Sequence, residues 1–173
     1  MATALSPEET ESRLRSRFGR DVVASEEQHG HPVATVTVER YHDVCRFLRD
    51  EPELSFDYCD FVSGVDFGPE RGFEVVTHLY SNAHHHNARI KVALPHDRPV
   101  CPTISDLYPT ADWHERETME MFGIRFEGHP NPVKLLLSEP FEGQPLRKDF
   151  ALMSREAKPW PGAVEGEDLE DEE

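Results

Sequence analysis

Histidines are the residues whose type and spacing come nearest to a reactive site in this sequence. Six of the ten fall between positions 78 and 114, and two of them, at 84 and 86, would point to the same side of a strand or turn. Zinc needs three or four convergent ligands held by further hydrogen bonds. The nearest helical zinc motif, His114-Glu115-Arg116-Glu117, lacks its second histidine. We therefore favour surface histidines, with a metalloenzyme as the rival hypothesis. The group comprises His78, His84, His85, His86, His96 and His114.

Three glutamates share a predicted helix with Arg116 and offer the second possibility for chemistry. Glu117 and Glu120 are three residues apart, so they can be neighbours on one helix face, as can general acid–base pairs. Glu115 is the third. The alternative is a solvated face whose acidic residues complement the helix dipole. Since no nucleophile, phosphate-binding loop or nucleotide-binding glycine motif accompanies them, we favour the second interpretation.

The segment Leu146-Arg147-Lys148-Asp149-Phe150 places two adjacent cations and an anion between two apolar residues. Arginine can bind a carboxylate through two hydrogen bonds, and an aromatic side chain can fill a pocket. Both residue types are enriched at the centres of protein interfaces. The alternative is that Arg147 and Asp149 only attach this segment to its own domain. Physical chemistry alone leaves these two interpretations open.

Composition excludes several classes of protein. The 173 residues fit one domain, and the net charge of −16 disfavours both nucleic acid and direct binding to an anionic membrane. Seven of the nine residues 165–173 are acidic. No apolar run approaches the roughly 18–20 residues that span a bilayer, and the N-terminus does not resemble a secretory signal. The three cysteines form no CxxC pair and are too few for a four-thiolate cluster.

The elements that must position these residues alternate in type along the chain. Ser6, Pro7 and Glu9 predict a capped helix that ends at Gly19. Periodicity predicts strands at 32–38, 58–67, 73–81 and 87–94, and helices at 41–50, 103–107 and 110–122. The fold class is therefore α+β, a two-layer sandwich with a mainly antiparallel sheet. We divide the chain into a domain at 1–127, an extended proline-rich docking arm at 128–161 and an acidic, disordered tail at 162–173.

One stretch of about forty residues resembles the signature of a known family. Its pieces are Glu115-Arg116-Glu117, Glu120-Met121-Phe122-Gly123-Ile124, Phe126-Glu127-Gly128-His129-Pro130, and Gly143 with Pro145-Leu146-Arg147-Lys148-Asp149-Phe150, preceded by Asp106-Leu107-Tyr108-Pro109 and Trp113. In order and spacing these resemble the C subunit of the complex I-type NADH–quinone oxidoreductases, the respiratory-chain NADH dehydrogenases. The resemblance covers residues 40–160.

The resemblance implies a structural docking subunit without an active site or cofactor of its own. Such a subunit lies in the peripheral arm, on the cytoplasmic side of the cell membrane, and reaches the membrane only through the complex. Its expected partners are the quinone-site D subunit and the cluster-carrying subunits; FMN and iron–sulfur clusters are held by partner subunits. The assembly passes electrons from NADH to quinone and translocates protons. We expect the subunit interface to include Trp113, Glu115, Arg116, Glu117, Phe122, His129, Pro130, Arg147, Lys148, Asp149 and Phe150.

The sequence departs from the family pattern at three places. Glu120 stands where aspartate is usual, Val133 and Lys134 where a basic pair is usual, and Gln144 where histidine is usual. These departures leave the fold assignment intact but keep an alternative open. It is the equivalent subunit of a related membrane-bound hydrogenase, or of a dehydrogenase with another electron donor.

Overall fold

A computed structural model describes residues 5–151 of the chain, which form an α+β structure. Three α-helices and seven strands follow one another in the order α1, β1, β2, α2, β3, β4, β5, β6, α3, β7. The helices are α1 (Pro7–Phe18), α2 (Tyr41–Asp50) and α3 (Ala111–Phe122). The strands are β1 (Val22–Gln28), β2 (His31–Val36), β3 (Tyr58–Asp66), β4 (Phe73–Ser81), β5 (His86–Leu94), β6 (Val100–Pro102) and β7 (Arg125–Glu127).

The main sheet has five strands in the order β1-β2-β5-β4-β3. Neighbours are antiparallel except β2 and β5, which run parallel with Val33 opposite Arg89. The predicted fold class and the antiparallel run of β3, β4 and β5 are thus confirmed. A second, small sheet pairs β6 with β7 in parallel.

The core lies between one face of the main sheet and the helices. Along β4 every second side chain is buried, including Phe73, Val75 and Leu79, as expected of a sheet with a single buried face. The apolar faces of α1 and α2 contribute Leu14 and Leu48 to the same core, and the helices together form the second layer.

Local signals set the helix boundaries as predicted. Ser6 Oγ accepts a hydrogen bond from the Glu9 N–H at 3.2 Å, and the Ser6 N–H donates to Glu9 Oε2 at 2.8 Å, which completes the capping box. Gly123 follows α3 with φ +74°, a left-handed conformation that glycine adopts without strain.

Two local predictions were wrong or incomplete. Residues 103–107 form one turn and no helix, with the N–H groups of Leu107 and Tyr108 both donating to the Ile104 carbonyl. The strand β1 was not predicted because Glu26 and Glu27 interrupt any apolar alternation. β1 lies at an edge of the sheet, where charged residues prevent pairing with other chains.

The opposite edge strand, β3, is covered by α3. Thr118 Oγ1 donates to the Val62 carbonyl at 3.3 Å, and Thr110 Oγ1 donates to the Cys59 carbonyl at 3.0 Å. Helix and sheet approach closely because Gly64 has no side chain between β3 and Phe122. The position of α3 is therefore tied to the sheet at several points.

Residues 128–151 contain neither helix nor strand and follow α3 as an extended segment, here called the arm. The boundaries assigned to the domain, the arm and the tail stay predictions. The acidic tail and the end of the predicted arm lie outside the described residues.

Candidate functional site

One stripe of α3 holds the arm along the length of the helix. Asp112, Arg116 and Glu120 are four residues apart and therefore share one helix face. Asp112 contacts His129 through its backbone carbonyl. Arg116 donates hydrogen bonds to the carbonyls of residues 133 and 134. Glu120 accepts hydrogen bonds from the N–H groups of residues 135–137. The arm thus follows the helix in one direction and is fastened once per turn.

Arg116 makes the central attachment. Its Nε donates to the Val133 carbonyl at 3.0 Å and its Nη2 to the Lys134 carbonyl at 3.2 Å. The guanidinium also lies 5.3 Å from the ring centroid of Trp113, within cation–π range. Arg116 is buried, whereas Trp113 remains 58% exposed on the outside of the same helix.

Glu120 binds the backbone of the arm through its carboxylate. Oε2 accepts from the N–H groups of Leu135 and Leu136 at 3.0 and 2.8 Å, and Oε1 accepts from Leu137 at 2.9 Å. Burial by itself would raise the pKa of Glu120, but the three N–H donors outweigh burial and lower it. The carboxylate is therefore held in its charged form, which is the form that accepts these hydrogen bonds.

Glu115 has a different environment, although it belongs to the same helix. It is fully buried, and its carboxyl accepts from the Ile104 N–H at 2.7 Å and from the Thr103 hydroxyl. Burial raises the pKa of Glu115 to about 7, despite these two donors. The interpretation of this residue as part of a solvated face was wrong, because the side chain closes the turn at 103–107 onto α3.

His129 attaches the start of the arm between Asp112 and Glu115. Its Nε2 lies 3.2 Å from the Asp112 carbonyl and 3.8 Å from the Glu115 carboxylate. Its Nδ1 accepts from the Asn131 N–H at 3.0 Å, so Nε2 carries the proton. The imidazole is almost completely buried. This histidine orders the arm and is not available as a metal ligand in this conformation.

The far end of the arm is anchored on β3. The Lys148 N–H donates to Asp66 Oδ2 and the Gly68 N–H to Asp66 Oδ1, each at 2.7 Å. Burial opposes ionisation of Asp66, but the N–H groups of Lys148 and Gly68 prevail and lower its pKa. A further bond joins the Leu146 N–H to the Met121 carbonyl at 3.1 Å.

Arg147 is occupied within the chain. Its Nη2 lies 3.2 Å from His96 Nε2, its Nε donates to Asp149 Oδ1 at 3.2 Å, and its guanidinium is 5.0 Å from the ring centroid of Phe73. These contacts are those expected if Arg147 attaches the arm to its own domain. Phe150 packs against Phe141 within the arm, at 6.0 Å between ring centroids.

The expected interface residues fall into two groups. Buried or engaged within the chain are Glu115, Arg116, Phe122, His129, Arg147 and Phe150. Exposed to solvent are Trp113, Glu117, Pro130, Lys148 and Asp149, of which Asp149 also accepts a hydrogen bond from Arg147. Contact of either group with another subunit stays a prediction. Glu115 and Glu117 do not form a pair, because Glu115 is buried and Glu117 is exposed to solvent.

Two histidines of the cluster, His84 and His86, make contacts that hold local structure. His84 Nε2 lies 3.0 Å from the Pro52 carbonyl and His86 Nε2 lies 2.9 Å from the Leu54 carbonyl, and His86 stacks on Phe56. Among residues 5–151, no three histidine, cysteine, aspartate or glutamate side chains are grouped so that they could hold a metal ion. The observed contacts fix the loop between α2 and β3 onto the turn before β5.

Asp66 and Asp112 hold the arm and were not among the residues predicted from the sequence. Asp66 bonds a backbone group 82 positions away, and such a pairing leaves no local pattern. Asp112 could have been noticed from its spacing, since it lies four residues before Arg116 and eight before Glu120.

Exposed apolar side chains are concentrated on α3 and the arm. Of seven large hydrophobic side chains that are exposed within residues 5–151, four belong to α3 and the arm. They are Trp113, Val133, Leu136 and Leu146, each between 50% and 59% exposed. Because the backbones of the last three are fastened along α3, these side chains are presented on an ordered surface, which we call the α3–arm face. Concentration of exposed apolar side chains marks interaction sites.

Two solved structures have a fold similar to that of this chain. The fold resembles a trypsin-resistant fragment (1-134) of Nqo5, with a TM-score of 0.61 and 25% identity, over 72% of this chain and 97% of that fragment. It also resembles a chain of the membrane-bound sulfane sulfur reductase, an archaeal respiratory membrane complex, with a TM-score of 0.66 and 24% identity, over 84% and 86% of the two chains. The second similarity concerns the fold alone.

Sequence comparison identifies the family. Residues 34–156 match the model of the respiratory-chain NADH dehydrogenase 30 Kd subunit. The C subunit of the NADH-quinone oxidoreductase of Roseiflexus castenholzii is 43% identical over 146 residues, which are 84% of each chain. The chain belongs to this family, that of the complex I C subunit, and is accordingly part of a multi-subunit respiratory oxidoreductase.

Proposed function

We propose that this chain is a docking subunit, without an active site of its own, in the peripheral arm of a proton-translocating NADH–quinone oxidoreductase. The α3–arm face packs on the quinone-site D subunit and on neighbouring cluster-carrying subunits. In this way the chain supports electron transfer from NADH to quinone by holding the assembly together.

The observation that carries the proposal is the concentration of exposed apolar side chains on the α3–arm face. Trp113 and Leu136 are 58% and 59% exposed, although their neighbours Arg116 and Glu120 are buried and hold the arm. Residues buried at the centre of a docking site are typically apolar or aromatic and are ordered before binding. In this proposal Arg116 and Glu120 act indirectly, because they hold the exposed apolar side chains of the arm in a fixed geometry.

The cofactors of the assembly, FMN and iron–sulfur clusters, belong to partner subunits in this proposal. Cys45, Cys59 and Cys101 are buried on three different elements, α2, β3 and β6, and a cluster needs four thiolates or their replacements. Glu115, the carboxyl with the raised pKa, is fully buried, so no substrate reaches it. These features support a role in which the chain itself carries out no chemical step.

Attachment to the cell membrane, on its cytoplasmic side, is proposed to occur through the complex. No helix within residues 5–151 combines the length and hydropathy needed to cross a bilayer. The net charge of −16 also disfavours direct adsorption to anionic lipid.

The alternative is the equivalent subunit of a related hydrogenase, or of a dehydrogenase with another donor. The sulfane sulfur reductase structure shows that this fold occurs in a respiratory complex with different chemistry. The relative at 43% identity is named as part of an NADH-quinone oxidoreductase, which favours the nicotinamide donor. A nicotinamide- and flavin-binding subunit that co-purifies with this chain would support NADH, and a hydrogenase subunit in its place would support the alternative.

The docking role is tested by the double substitution Trp113→Ala and Leu136→Asp in the full chain. We expect recovery of the chain with its complex to fall about tenfold or more, as for the loss of interface hot spots, while the purified variant unfolds like the wild type. Val23→Asp is the matched control, since Val23 is 63% exposed at the bulge of β1, away from the arm. Normal assembly and normal NADH–quinone reduction by the double variant would exclude the proposal.

A further inference from the structure

A buried carboxyl group lies beneath the point at which the arm begins. Glu115 has no exposed surface, and its Oε2 is 3.8 Å from Nε2 of His129, whose side chain is 2% exposed. Residues 128 and 130–134 are exposed, so His129 carries this part of the arm into the protein. The contact therefore joins a titratable group of α3 to the attachment of the arm.

The hydrogen bonds around Glu115 suit the protonated form of its carboxyl. Oε1 accepts from the Ile104 N–H at 2.7 Å, and Oε2 lies against the Thr103 hydroxyl. When Oε2 carries a proton, it donates this proton to Thr103 Oγ1, because a hydroxyl can accept as well as donate. The Thr103 hydroxyl then donates to Ser105 Oγ, 2.8 Å away. The neutral carboxyl and the Thr103 hydroxyl are thus both satisfied without any change in the positions of their heavy atoms.

The ionised form of Glu115 is less well accommodated. Glu120, on the same helix, has three backbone N–H donors and a lowered pKa. Glu115 has one backbone N–H and one hydroxyl, and the His129 N–H beside it is directed to the Asp112 carbonyl at 3.2 Å. Burial, the largest cause, raises the pKa of Glu115 to about 7. With the arm in place, Glu115 therefore keeps its proton until the pH approaches neutrality.

The other titratable groups around Glu115 do not compensate for its charge. Two carboxylates raise its pKa further, and burial raises the pKa values of the thiols and of the phenol packed nearby, so these stay protonated. Arg116 directs its guanidinium to the carbonyls of the arm. Within residues 5–151, the ion-pair contact of Glu115 is with His129 alone. The surrounding groups are Asp106, Asp112, Tyr41, Cys45, Cys59, Cys101 and His129.

We propose that Glu115 and His129 form a pH-sensitive switch, in which the protonated carboxyl keeps the start of the arm closed and loss of the proton releases it. Withdrawal of His129 opens one side of Glu115 to water, which stabilises the carboxylate. The closed form therefore binds the proton more tightly than the open form, and the proton favours closure. This advantage is fully present below the ordinary pKa of 4.5 and is lost as the pH rises to about 7.

The switch acts on the part of the arm that comes first along the chain. His129 precedes Val133, the first exposed apolar residue of the arm, by four positions, whereas Glu120 holds residues 135–137 independently of Glu115. Release of His129 therefore loosens the beginning of the α3–arm face and leaves its middle attached. Regulation of docking by this route rests on the function proposed above. The two tests below concern the purified full chain, so the switch can fail while the docking role stands, and the reverse.

The first test measures the pKa of Glu115 when the covering imidazole is removed. The carboxyl carbon resonance of Glu115 is followed against pH in the wild type, in His129→Ala and in His114→Ala, a control on the same helix. We expect His129→Ala to weaken proton binding by Glu115 at least tenfold, and the control to change it less than about twofold. An unchanged pKa in His129→Ala would overturn the proposal. So would a higher one, because the His129 N–H would then be stabilising the carboxylate.

The second test keeps His129 and follows the opening of the arm by native-state hydrogen exchange. The Asn131 N–H donates to His129 Nδ1 at 3.0 Å, so its exchange reports whether His129 is in place. After correction for the intrinsic exchange rate, we expect the opening constant to rise about tenfold or more between pH 5 and pH 7 in the wild type, and to stay constant in Glu115→Gln. The amides at 135–137 should show no such rise. Equal pH dependence in the two proteins, or an equal rise at 135–137, would contradict a switch at the start of the arm.

Discussion

Glu120 Oε2 lies 2.8 Å from the backbone nitrogen of Leu136, so a carboxylate on the last turn of α3 holds the middle of the arm. A negative charge near the C-terminal end of a helix is unfavourable by itself, because the helix dipole is negative there. Three N–H donors from the arm compensate for this charge. The position therefore couples the end of the helix to a segment that has no regular secondary structure of its own.

Replacing Glu120 by alanine is expected to loosen the arm without unfolding the domain. Each hydrogen bond to a charged group is worth about 1.5–3 kcal/mol, so we expect exchange of the amides at 135–137 to become roughly tenfold to a hundredfold faster. Native-state hydrogen exchange measures this directly. Glu117→Ala, on the same helix but exposed, is the control and should leave these amides unchanged. Equal protection in the two variants would mean that other contacts hold the arm.

Glu115 is expected to make the stability of the domain decrease as pH rises toward neutrality. Burial raises its pKa to about 7 from an ordinary value of 4.5. Below the ordinary value the carboxyl is protonated in both states. Between the two values it ionises in the unfolded chain but not in the folded chain, which lowers the free energy of unfolding by about 3 kcal/mol over this range.

Glu115→Gln removes this ionisation and keeps an oxygen that can accept from the Ile104 N–H. The free energy of unfolding of the variant, relative to wild type, should therefore rise by about 2–3 kcal/mol between pH 5 and pH 8. Urea unfolding at several pH values measures the difference, with Glu117→Gln as the control. Parallel pH profiles for Glu115→Gln and wild type would exclude a raised pKa.

Gly64→Ala is expected to destabilise the domain, although replacing glycine by alanine within a strand normally raises stability. A Cβ at this position would lie 2.8 Å from Phe122 Cδ2 and 3.0 Å from Ile124 Cδ1. Gly64→Ala should destabilise the domain by about 1–3 kcal/mol through overpacking. Ser63→Ala, one position along β3, should change stability by less than about 0.5 kcal/mol. Phe122→Leu should relieve part of the effect if the clash is its cause.

The three thiols are expected to be unreactive in the folded chain. Burial raises the pKa of Cys59 to about 12 and raises the pKa of Cys45 and of Cys101 as well. Since the thiolate is the reactive form, a thiol reagent at pH 8 should label none of them in the native protein and all of them in concentrated urea. Rapid labelling of one cysteine in the native state would show that its side of the core opens.

Several features of the fold could be predicted from local sequence because local interactions determine them. The capping box at Ser6 and Glu9 and the left-handed glycine at 123 mark helix ends through contacts within four residues. Alternation of apolar residues along β4 indicates one buried face. The edge strand β1 could not be predicted in this way, since its pairing with β2 and not its own apolar pattern makes it a strand.

The candidate site was predictable as a set of residues but not as a set of contacts. Glu115, Glu117 and Glu120 look equivalent in sequence. In the structure Glu115 is buried, with a pKa raised to about 7, and Glu117 is exposed. Glu120 has a lowered pKa and its carboxylate is bound to the arm. Burial and N–H donors from distant segments make this distinction, and neither is encoded within the helix itself.

The sequence by itself determined the α+β class, the family and the stretch in which the functional residues lie, because periodicity, capping residues and the spacing of a long signature are all local properties. Only the tertiary structure decided that Arg116, Glu120 and Arg147 hold the arm to its own domain, and that His129 lies against the buried carboxyl of Glu115. Both results depend on which groups separated along the chain come within hydrogen-bonding distance, and on how much water folding removes from around them.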